Sequence, residues 1–272
     1  MKMKKLLLFL VIMLMCGCGT QPASSLIAPE GNTLETRILT PEGYRRSKAS
    51  GFGAFVRSYK MKKDKSPLLL YNKKKASQSR HIAIFKLPIE NYDLQQCADS
   101  IMRIYAEYFY KTKQYNKIKF HFVSGFLADY SKWRKGYSIQ VTNDGKWIPT
   151  NEDHTTYNSF KKYMKIVFTY ASTLSMDKES TPIQEKDLRI GDIFLRPGSP
   201  GHVIMVADVC EKDGHKAYLL AQGYTPACEF HVMVNPKHKE DPWYYEDEIT
   251  YPLKTAPYTF DEGTCKRLTY DN

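Results

Sequence analysis

Cysteine is scarce in this sequence. The chain has six cysteines among 272 residues, and those beyond residue 18 are widely spaced: Cys97, Cys210, Cys228 and Cys265. Small secreted scaffolds without a sufficient core depend on dense disulfides, so this spacing excludes that class. One disulfide is compatible with an oxidising compartment, but the spacing assigns no pair. With 42% hydrophobic and 13% aromatic residues, the chain can bury a full-sized core instead.

The N-terminal apolar run is too short to cross a membrane. It covers residues 6–15, follows three lysines and precedes small residues, which is the order of an export signal. The letters MCGC at 15–18 resemble the lipobox of bacterial lipoproteins, which implies cleavage after Gly17 and attachment of diacylglycerol to Cys18. Cys16 fits less well because the bulky Met15 precedes it. The alternative is an ordinary secretory signal with incidental cysteines.

Acidic residues are outnumbered by basic ones. Removal of the three signal lysines leaves 37 Lys and Arg against 29 Asp and Glu, a net charge of +8. This balance is compatible with anionic lipid headgroups or wall polymers, but an exported protein seldom meets nucleic acid. The basic runs at 60–65 and 72–80 are short and polar, as in solvated loops. We therefore predict a membrane contact through the lipid anchor and no nucleic-acid partner.

The chain has no internal repeat and no long low-complexity block. Residues 20–33 are small, polar and interrupted by Pro and Gly, as in a tether. The predicted organisation is a lipoprotein signal peptide at 1–17, a tether at 18–34 and a single α+β domain at 35–272. The predicted location is the bacterial cell envelope, with the lipid anchor in a membrane, the outer one by preference.

Two helices precede a group of short strands. After a strand at 81–89, residues 92–113 carry apolar side chains three and four positions apart, and Asp93 with Gln96 has the form of a capping box. A second helix with the same period is predicted at 156–170. Beyond Thr181, short apolar strands alternate with Pro/Gly turns. This order indicates an α+β fold with an antiparallel sheet.

One hairpin places two polar side chains together. If GHVIMVADV (201–209) and KAYLLAQGY (216–224) turn at EKDG, paired residue numbers add up to about 424 or 425 in that register. Gln222 then lies opposite His202 at the open end of the hairpin, where its amide can bond an imidazole nitrogen. A bulge would shift the partner by one position. A satisfied surface histidine is the alternative explanation.

Cys97 is the candidate nucleophile. It lies in the opening turn of the first helix, where the positive end of the helix dipole favours the thiolate. A neighbouring imidazolium would favour it further. The alternative is that Cys97, which lies on the apolar stripe, packs as a small hydrophobic residue.

The helix that opens with Cys97, the segment GDIFLRPGSPGHVIMVADV (191–209) and the strand ending in AQGY (221–224) together resemble the CHAP and NlpC-type cysteine peptidases of the papain-like group. The resemblance implies a papain-like core of helices packed on an antiparallel sheet, with a helical insertion between the cysteine and the histidine. It implies Cys97 as nucleophile, His202 as general base and Gln222 as the orienting residue. It also implies an oxyanion hole made by the Cys97 amide with Gln95 or Gln96, of which we take Gln96.

The mature sequence is similar over most of its length to a family of bacterial lipoproteins, domain of unknown function 4846. The similarity is carried by DLQQCADSIMR (93–103), PGHVIMVADV (200–209) and LLAQGYTPACEFHVMVNP (219–236). That family name implies no activity.

Three functional hypotheses follow. The first is a lipid-anchored envelope thiol hydrolase that cleaves amide bonds, with cell-wall peptides as the candidate substrate. The others are a catalytically inactive lipoprotein that binds an envelope ligand and a scaffold subunit of an envelope complex. No cofactor and no metal are expected. The C-x-x-H spacing of Cys228 and His231 is compatible with zinc, but strand alternation gives His231 no further ligand pair.

Overall fold

The computed structural model describes residues 25–77, 81–141, 144–238 and 240–270. The predicted signal peptide, with Cys16 and Cys18, lies outside the described residues. The helices are α1 Leu34–Arg37, α2 Gly51–Arg57, α3 Cys97–Lys111, α4 Tyr130–Arg134, α5 Tyr157–Tyr170 and α6 Thr173–Lys178. The strands are β1 Arg45–Arg46, β2 His81–Ile84, β3 Lys119–His121, β4 Leu127–Asp129, β5 Tyr137–Gln140, β6 Lys146–Pro149, β7 Ser180–Pro182, β8 Ile193–Arg196, β9 His202–Lys212, β10 His215–Gln222, β11 His231–Met233, β12 Tyr244–Tyr245, β13 Leu253–Lys254, β14 Thr259–Phe260 and β15 Cys265–Leu268.

A central sheet organises the fold. Its strand order is β2-β11-β10-β9-β8-β15-β7, with β1 added to β9 and β12 added to β10. The strand pairs of this sheet in the described ranges are antiparallel. The chain is therefore a mixed fold of few helices on a mostly antiparallel sheet. The predicted antiparallel sheet is confirmed.

Both faces of the sheet are covered. Val203, Met205 and Ala207 of β9 belong to the hydrophobic cluster that contains the apolar stripe of α3. Ile204 and Val206, the alternate residues, belong to a second cluster with side chains from β8, β10, β13, β14 and β15. Since successive side chains of a strand point to opposite faces, burial on both faces requires a continuous apolar run. This explains the apolar runs from Val203 to Ala207 in β9 and from Ala217 to Ala221 in β10.

Helix α3 begins later than its sequence pattern suggests. The predicted cap at Asp93 is wrong, because the helix starts at Cys97 and Gln96 is the N-cap. The Asp99 carboxylate accepts a hydrogen bond from the backbone N–H of Gln96, 3.1 Å away. Asp93 instead accepts from the Ala227 backbone N–H at 2.7 Å and from the Gln96 side chain at 3.2 Å. Asp93 thus joins the start of α3 to the loop after β10.

The insertion between the cysteine and the histidine was predicted to be helical, but the segment between α3 and β7 also contains strands. It contains two small antiparallel hairpins, β3 with β4 and β5 with β6, in addition to α4, α5 and α6. The turn residues of this region close the hairpins, and Gly125 adopts a φ of +93° in the first of them, which glycine permits without strain. Helix α5, Tyr157–Tyr170, agrees with its predicted span.

Part of the segment predicted as a tether packs on the domain. The backbone N–H of Ala28 donates to the carbonyl of Arg37, and that of Leu39 donates to Leu26. The buried Arg37 guanidinium also donates to the carbonyls of Ala28, Pro29 and Gly31. Residues from Leu26 onward therefore belong to the fold. In the ranges that the structure describes, no helix has the length and apolar character needed to cross a membrane.

Candidate functional site

One cleft lies where the start of α3 meets the open ends of β9 and β10. Its volume is about 490 Å³. The cleft brings Cys97, Gln96 and His202 together with the aromatic rings of Tyr224 and Tyr258. Among the residues that the structure describes, the lining also contains Thr173, Gly201 and Thr225, but no lysine or arginine. The excess positive charge of the protein is therefore located elsewhere.

Gly223 allows the first turn of α3 to approach the end of β10. A Cβ atom at this position would lie 2.2 Å from Ser100 Oγ and 2.7 Å from the carbonyl oxygen of Gln96. These distances are far below van der Waals contact, so only glycine fits between the strand end and the helix. Gly223 follows Gln222 directly. The same backbone segment therefore carries Gln222 and fixes the position of Cys97.

Cys97 is the first residue of α3 and so lies in the opening turn, where the sequence placed it, but its environment does not favour the thiolate. The side chain is 7% exposed. Burial raises the pKa of the Cys97 thiol to about 11, and the Asp99 carboxylate also raises it, whereas hydrogen bonds from the backbone N–H groups of Val203, Ala98 and Cys97 itself lower it. The predicted dipole effect is thus outweighed by desolvation. In the free protein at neutral pH, Cys97 is a thiol.

His202 opens β9 and is surrounded by rings. The ring centroids of Tyr258 and Tyr224 lie 5.0 and 5.3 Å from that of the imidazole. Burial lowers the pKa of His202 to about 4, although the hydrogen bond with Gln222 acts in the opposite direction. The imidazole is therefore neutral at pH 7. The Nε2 atom of His202 is 2.8 Å from Gln222 Oε1.

The predicted contact between His202 and Gln222 is confirmed, but the predicted register is wrong. Leu219 pairs with Asp208 and Ala221 with Met205, and a bulge lies between Leu219 and Leu220. Gln222 is therefore not opposite His202 but diagonal to it, and both side chains point to the same face of the sheet. A diagonal neighbour is within reach of a long side chain, so the contact survives the shift in register.

Cys97 and His202 border the same cleft without a hydrogen bond between them among the described residues. The thiol instead interacts with the backbone N–H of Val203, the residue after His202. Val203 packs in the cluster of α3, and by strand alternation His202 points to the opposite face. The two candidate groups thus meet at the end of the sheet from its two sides.

The two glutamines before Cys97 have different surroundings. Gln95 is buried, and its side-chain amide donates to the carbonyl of Pro88, 3.0 Å away. Gln96 lines the cleft, and its Oε1 accepts a hydrogen bond of 3.0 Å from the Thr225 hydroxyl. The structure therefore leaves Gln96, rather than Gln95, in a position to contact a ligand in the cleft.

The insertion forms one wall of the cleft. Phe168, Ala171, Ser172 and Thr173, from the end of α5 and the start of α6, line it. The Thr173 hydroxyl accepts a hydrogen bond from the backbone N–H of Gly198 at 3.3 Å. This bond ties the wall to the loop that leads into His202.

Sequence reasoning missed the relation of His231 to this site. His231 pairs with Gln222 across β11 and β10, and its Nε2 is 3.3 Å from Gln222 Nε2. Its Nδ1 is 2.8 Å from the carbonyl oxygen of Glu229. The period-two pattern of EFHVMVN marked a strand, but the pairing partner of β11 cannot be derived from the local pattern.

A second cavity lies beside the cleft. It has a volume of about 190 Å³ and is bordered mainly by apolar groups, including Leu68, Leu70 and Pro226. Tyr224 and Thr225 line both spaces, and Gln222 and His231 form part of the cavity wall.

The four cysteines that the structure describes are free and buried. Burial raises the pKa of Cys228 and of Cys265 to about 12, and it raises the pKa of Cys210 further. Of the four thiols, Cys97 has the smallest increase in pKa.

In the described ranges, no group of three or more His, Cys, Asp and Glu side chains is arranged to hold a metal ion. Both ring nitrogens of His231 are hydrogen-bonded, which leaves neither for zinc without rearrangement.

The fold and the site define a mixed helix-and-sheet protein with a cysteine and an oriented histidine at one end of an antiparallel sheet. The sequence model of domain of unknown function 4846 matches residues 34–267, so the chain belongs to this family. Comparisons with curated proteins and with solved structures gave no significant match.

Proposed function

We propose that this protein is a lipid-anchored envelope thiol hydrolase with a papain-like core, which cleaves amide bonds in cell-wall peptides. The observation that carries the proposal is the cleft shared by Cys97, at the start of α3, and His202, oriented by Gln222. A thiol at a helix start and an imidazole held by a third polar group are the parts of a Cys/His nucleophilic site.

Each residue has a defined task in this mechanism. His202 Nδ1 takes the proton of the Cys97 thiol as the sulfur attacks the amide carbonyl, and the resulting imidazolium then protonates the leaving amine. Water hydrolyses the thioester that remains. The Cys97 backbone N–H and the side-chain amide of Gln96 are the candidate donors to the oxyanion. Catalytic hydrogen bonds are often long in free enzymes and shorten when substrate binds, so the mechanism requires His202 and Cys97 to approach each other at that stage.

Purified cell-wall peptides provide the test. The detergent-solubilised protein, incubated with muropeptides, is expected to yield fragments with a new amine and a new carboxylate, detectable by mass spectrometry. Cys97→Ala should abolish cleavage because Cys97 supplies the thiol that lines the cleft. Cys228→Ala, which removes a buried cysteine that does not line the cleft, is the matched control and should retain activity. Equal cleavage by wild type and Cys97→Ala would refute the thiol mechanism.

The lipid anchor is a separate part of the proposal and rests on the MCGC sequence. We expect metabolic labelling with a fatty-acid probe to mark the wild-type protein and to fail in Cys18→Ser, because the lipid is attached to that sulfur. Cys16→Ser is the matched control and should still be labelled. Unchanged labelling of Cys18→Ser would contradict the anchor without affecting the proposed hydrolase chemistry.

One observation favours a second function, a catalytically inactive lipoprotein that binds an envelope ligand. Cys97 and His202 are both uncharged at neutral pH, and the contacts that the structure describes include no hydrogen bond between them. A binding protein would retain muropeptides in the cleft, and Cys97→Ala would bind them as tightly as the wild type. Binding without any cleavage in the wild type would select this alternative.

A further inference from the structure

A chain of hydrogen bonds runs from the backbone carbonyl of Glu229, two residues before β11, to His202. Glu229 O is 2.8 Å from His231 Nδ1, His231 Nε2 is 3.3 Å from Gln222 Nε2, and Gln222 Oε1 is 2.8 Å from His202 Nε2. The three side chains in this chain are buried. Each of these hydrogen bonds therefore replaces one that the polar atom would otherwise make with water.

The hydrogen bond between His231 Nδ1 and the carbonyl oxygen of Glu229 decides which atoms donate in the other two hydrogen bonds. A carbonyl oxygen only accepts, so His231 Nδ1 carries a proton and, in the neutral ring, Nε2 accepts. The Gln222 amide then donates to His231 through its NH₂ group and presents its oxygen to His202. His202 Nε2 must donate to that oxygen. The proton of the neutral His202 ring is thus fixed on Nε2, and Nδ1 keeps a lone pair.

We propose that His231 is a positioning residue that acts through the Gln222 amide to hold His202 in the tautomer whose Nδ1 can accept a proton. An amide alone cannot do this, because its oxygen and nitrogen ends are nearly equal in shape and the group can turn over. A turned amide would donate to His202 Nε2 and move the ring proton to Nδ1. The acceptor on His231 makes the turned orientation unfavourable, because it would place two acceptors against each other. The inference that this His202 tautomer serves catalysis rests on the proposed function.

Other titratable groups border His231 without joining the chain. The His81 ring lies at a centroid distance of 6.2 Å, and its Nε2 is bonded to the carbonyl oxygen of Ser66. The Glu229 carboxylate forms an ion pair of 2.5 Å with Lys62. Cys228 borders the same cavity as His231. Since His81 packs on His231 from β2, it offers a matched control residue.

Nuclear magnetic resonance of ¹⁵N-histidine-labelled full-length protein tests the proposal at neutral pH. The wild type should show His202 with its proton on Nε2, assigned by comparison with His202→Ala. In His231→Phe, which retains a ring but no acceptor, the Nδ1–H tautomer of His202 should appear. His231→Gln supplies an acceptor again and should restore the wild-type tautomer, and His81→Phe should leave it unchanged. A His202 ring that keeps its Nε2–H form in His231→Phe would overturn the proposal.

A second substitution tests the hydrogen-bond chain even if His231→Phe does not fold. In Gln222→Glu both side-chain oxygens accept, so His202 should keep its Nε2–H form, and His231 should gain a proton on Nε2. An unchanged His231 spectrum in Gln222→Glu would contradict the chain.

The same variants separate positioning from a merely structural role. With the wild-type Gln222, His231→Phe should lower the rate of muropeptide cleavage about tenfold, the effect of losing one buried hydrogen bond. In the Gln222→Glu background the same substitution should have little further effect, because a carboxylate needs no partner to fix its orientation. Equal losses in both backgrounds would refute positioning through Gln222. A tautomer change in a protein that cleaves nothing would support the chain and refute the proposed hydrolase.

Discussion

Alkylation of Cys97 by iodoacetamide is expected to accelerate about tenfold for each pH unit between pH 7 and pH 10, because only the thiolate reacts and its fraction rises tenfold per unit below the pKa. The pKa of this thiol is raised to about 11, mainly by burial. Since a raised pKa keeps the thiol protonated, the rate should be low at neutral pH and should not level off below pH 10. Residue-resolved mass spectrometry of the native protein measures the profile.

The other cysteines provide the internal comparison. Cys97 combines the lowest pKa of the four with the largest exposure, so it should be alkylated before Cys210, Cys228 and Cys265 at every pH. If the rate instead reaches a plateau near pH 7, and the plateau is lost in His202→Ala, a thiolate–imidazolium pair exists and the raised pKa is wrong. A Cys97 that stays inert up to pH 10 would contradict its role as a nucleophile.

Replacement of Asp208 by alanine is expected to lower the free energy of unfolding by about 3–5 kcal/mol, the usual cost of removing one partner from a buried ion pair. Asp208 is 0% exposed and lies at the bulge of β9. Its two carboxylate oxygens accept hydrogen bonds of 2.6 Å from Arg46 and 2.7 Å from Arg57. The substitution would leave two largely buried guanidinium groups without their counter-charge. Urea denaturation followed by circular dichroism measures the change.

Glu211→Ala is the matched control for this stability measurement. Glu211 is an exposed acid on the same strand, and a substitution at an exposed position of this kind usually changes stability by less than about 0.5 kcal/mol. Similar losses of stability for the two variants would show that the loss in Asp208→Ala does not come from the contacts of Asp208 with Arg46 and Arg57. A loss confined to Asp208→Ala would show that this carboxylate fastens β1 and α2 to β9.

Local patterns in the sequence predicted several parts of the fold and of the candidate site. The period of apolar residues located α5 and the body of α3, because a helix buries one stripe. The apolar runs separated by turn residues located β8, β9 and β10. The same hairpin placed Gln222 beside His202, and this contact tolerated an incorrect register because a long side chain reaches a diagonal neighbour as well as an opposite one.

Tertiary structure alone decided the electrostatics and the connections of the site. Burial raises the pKa of Cys97 against the helix dipole, and burial depends on chain segments distant in sequence, such as the wall from α5 and α6. The pairing of β10 with β11 brings His231 to Gln222, and strand pairing is set by the packing of the whole sheet. Helix periods and turn residues are local properties of the chain. The partner of a strand and the depth of a side chain are not, and so the sequence left them open.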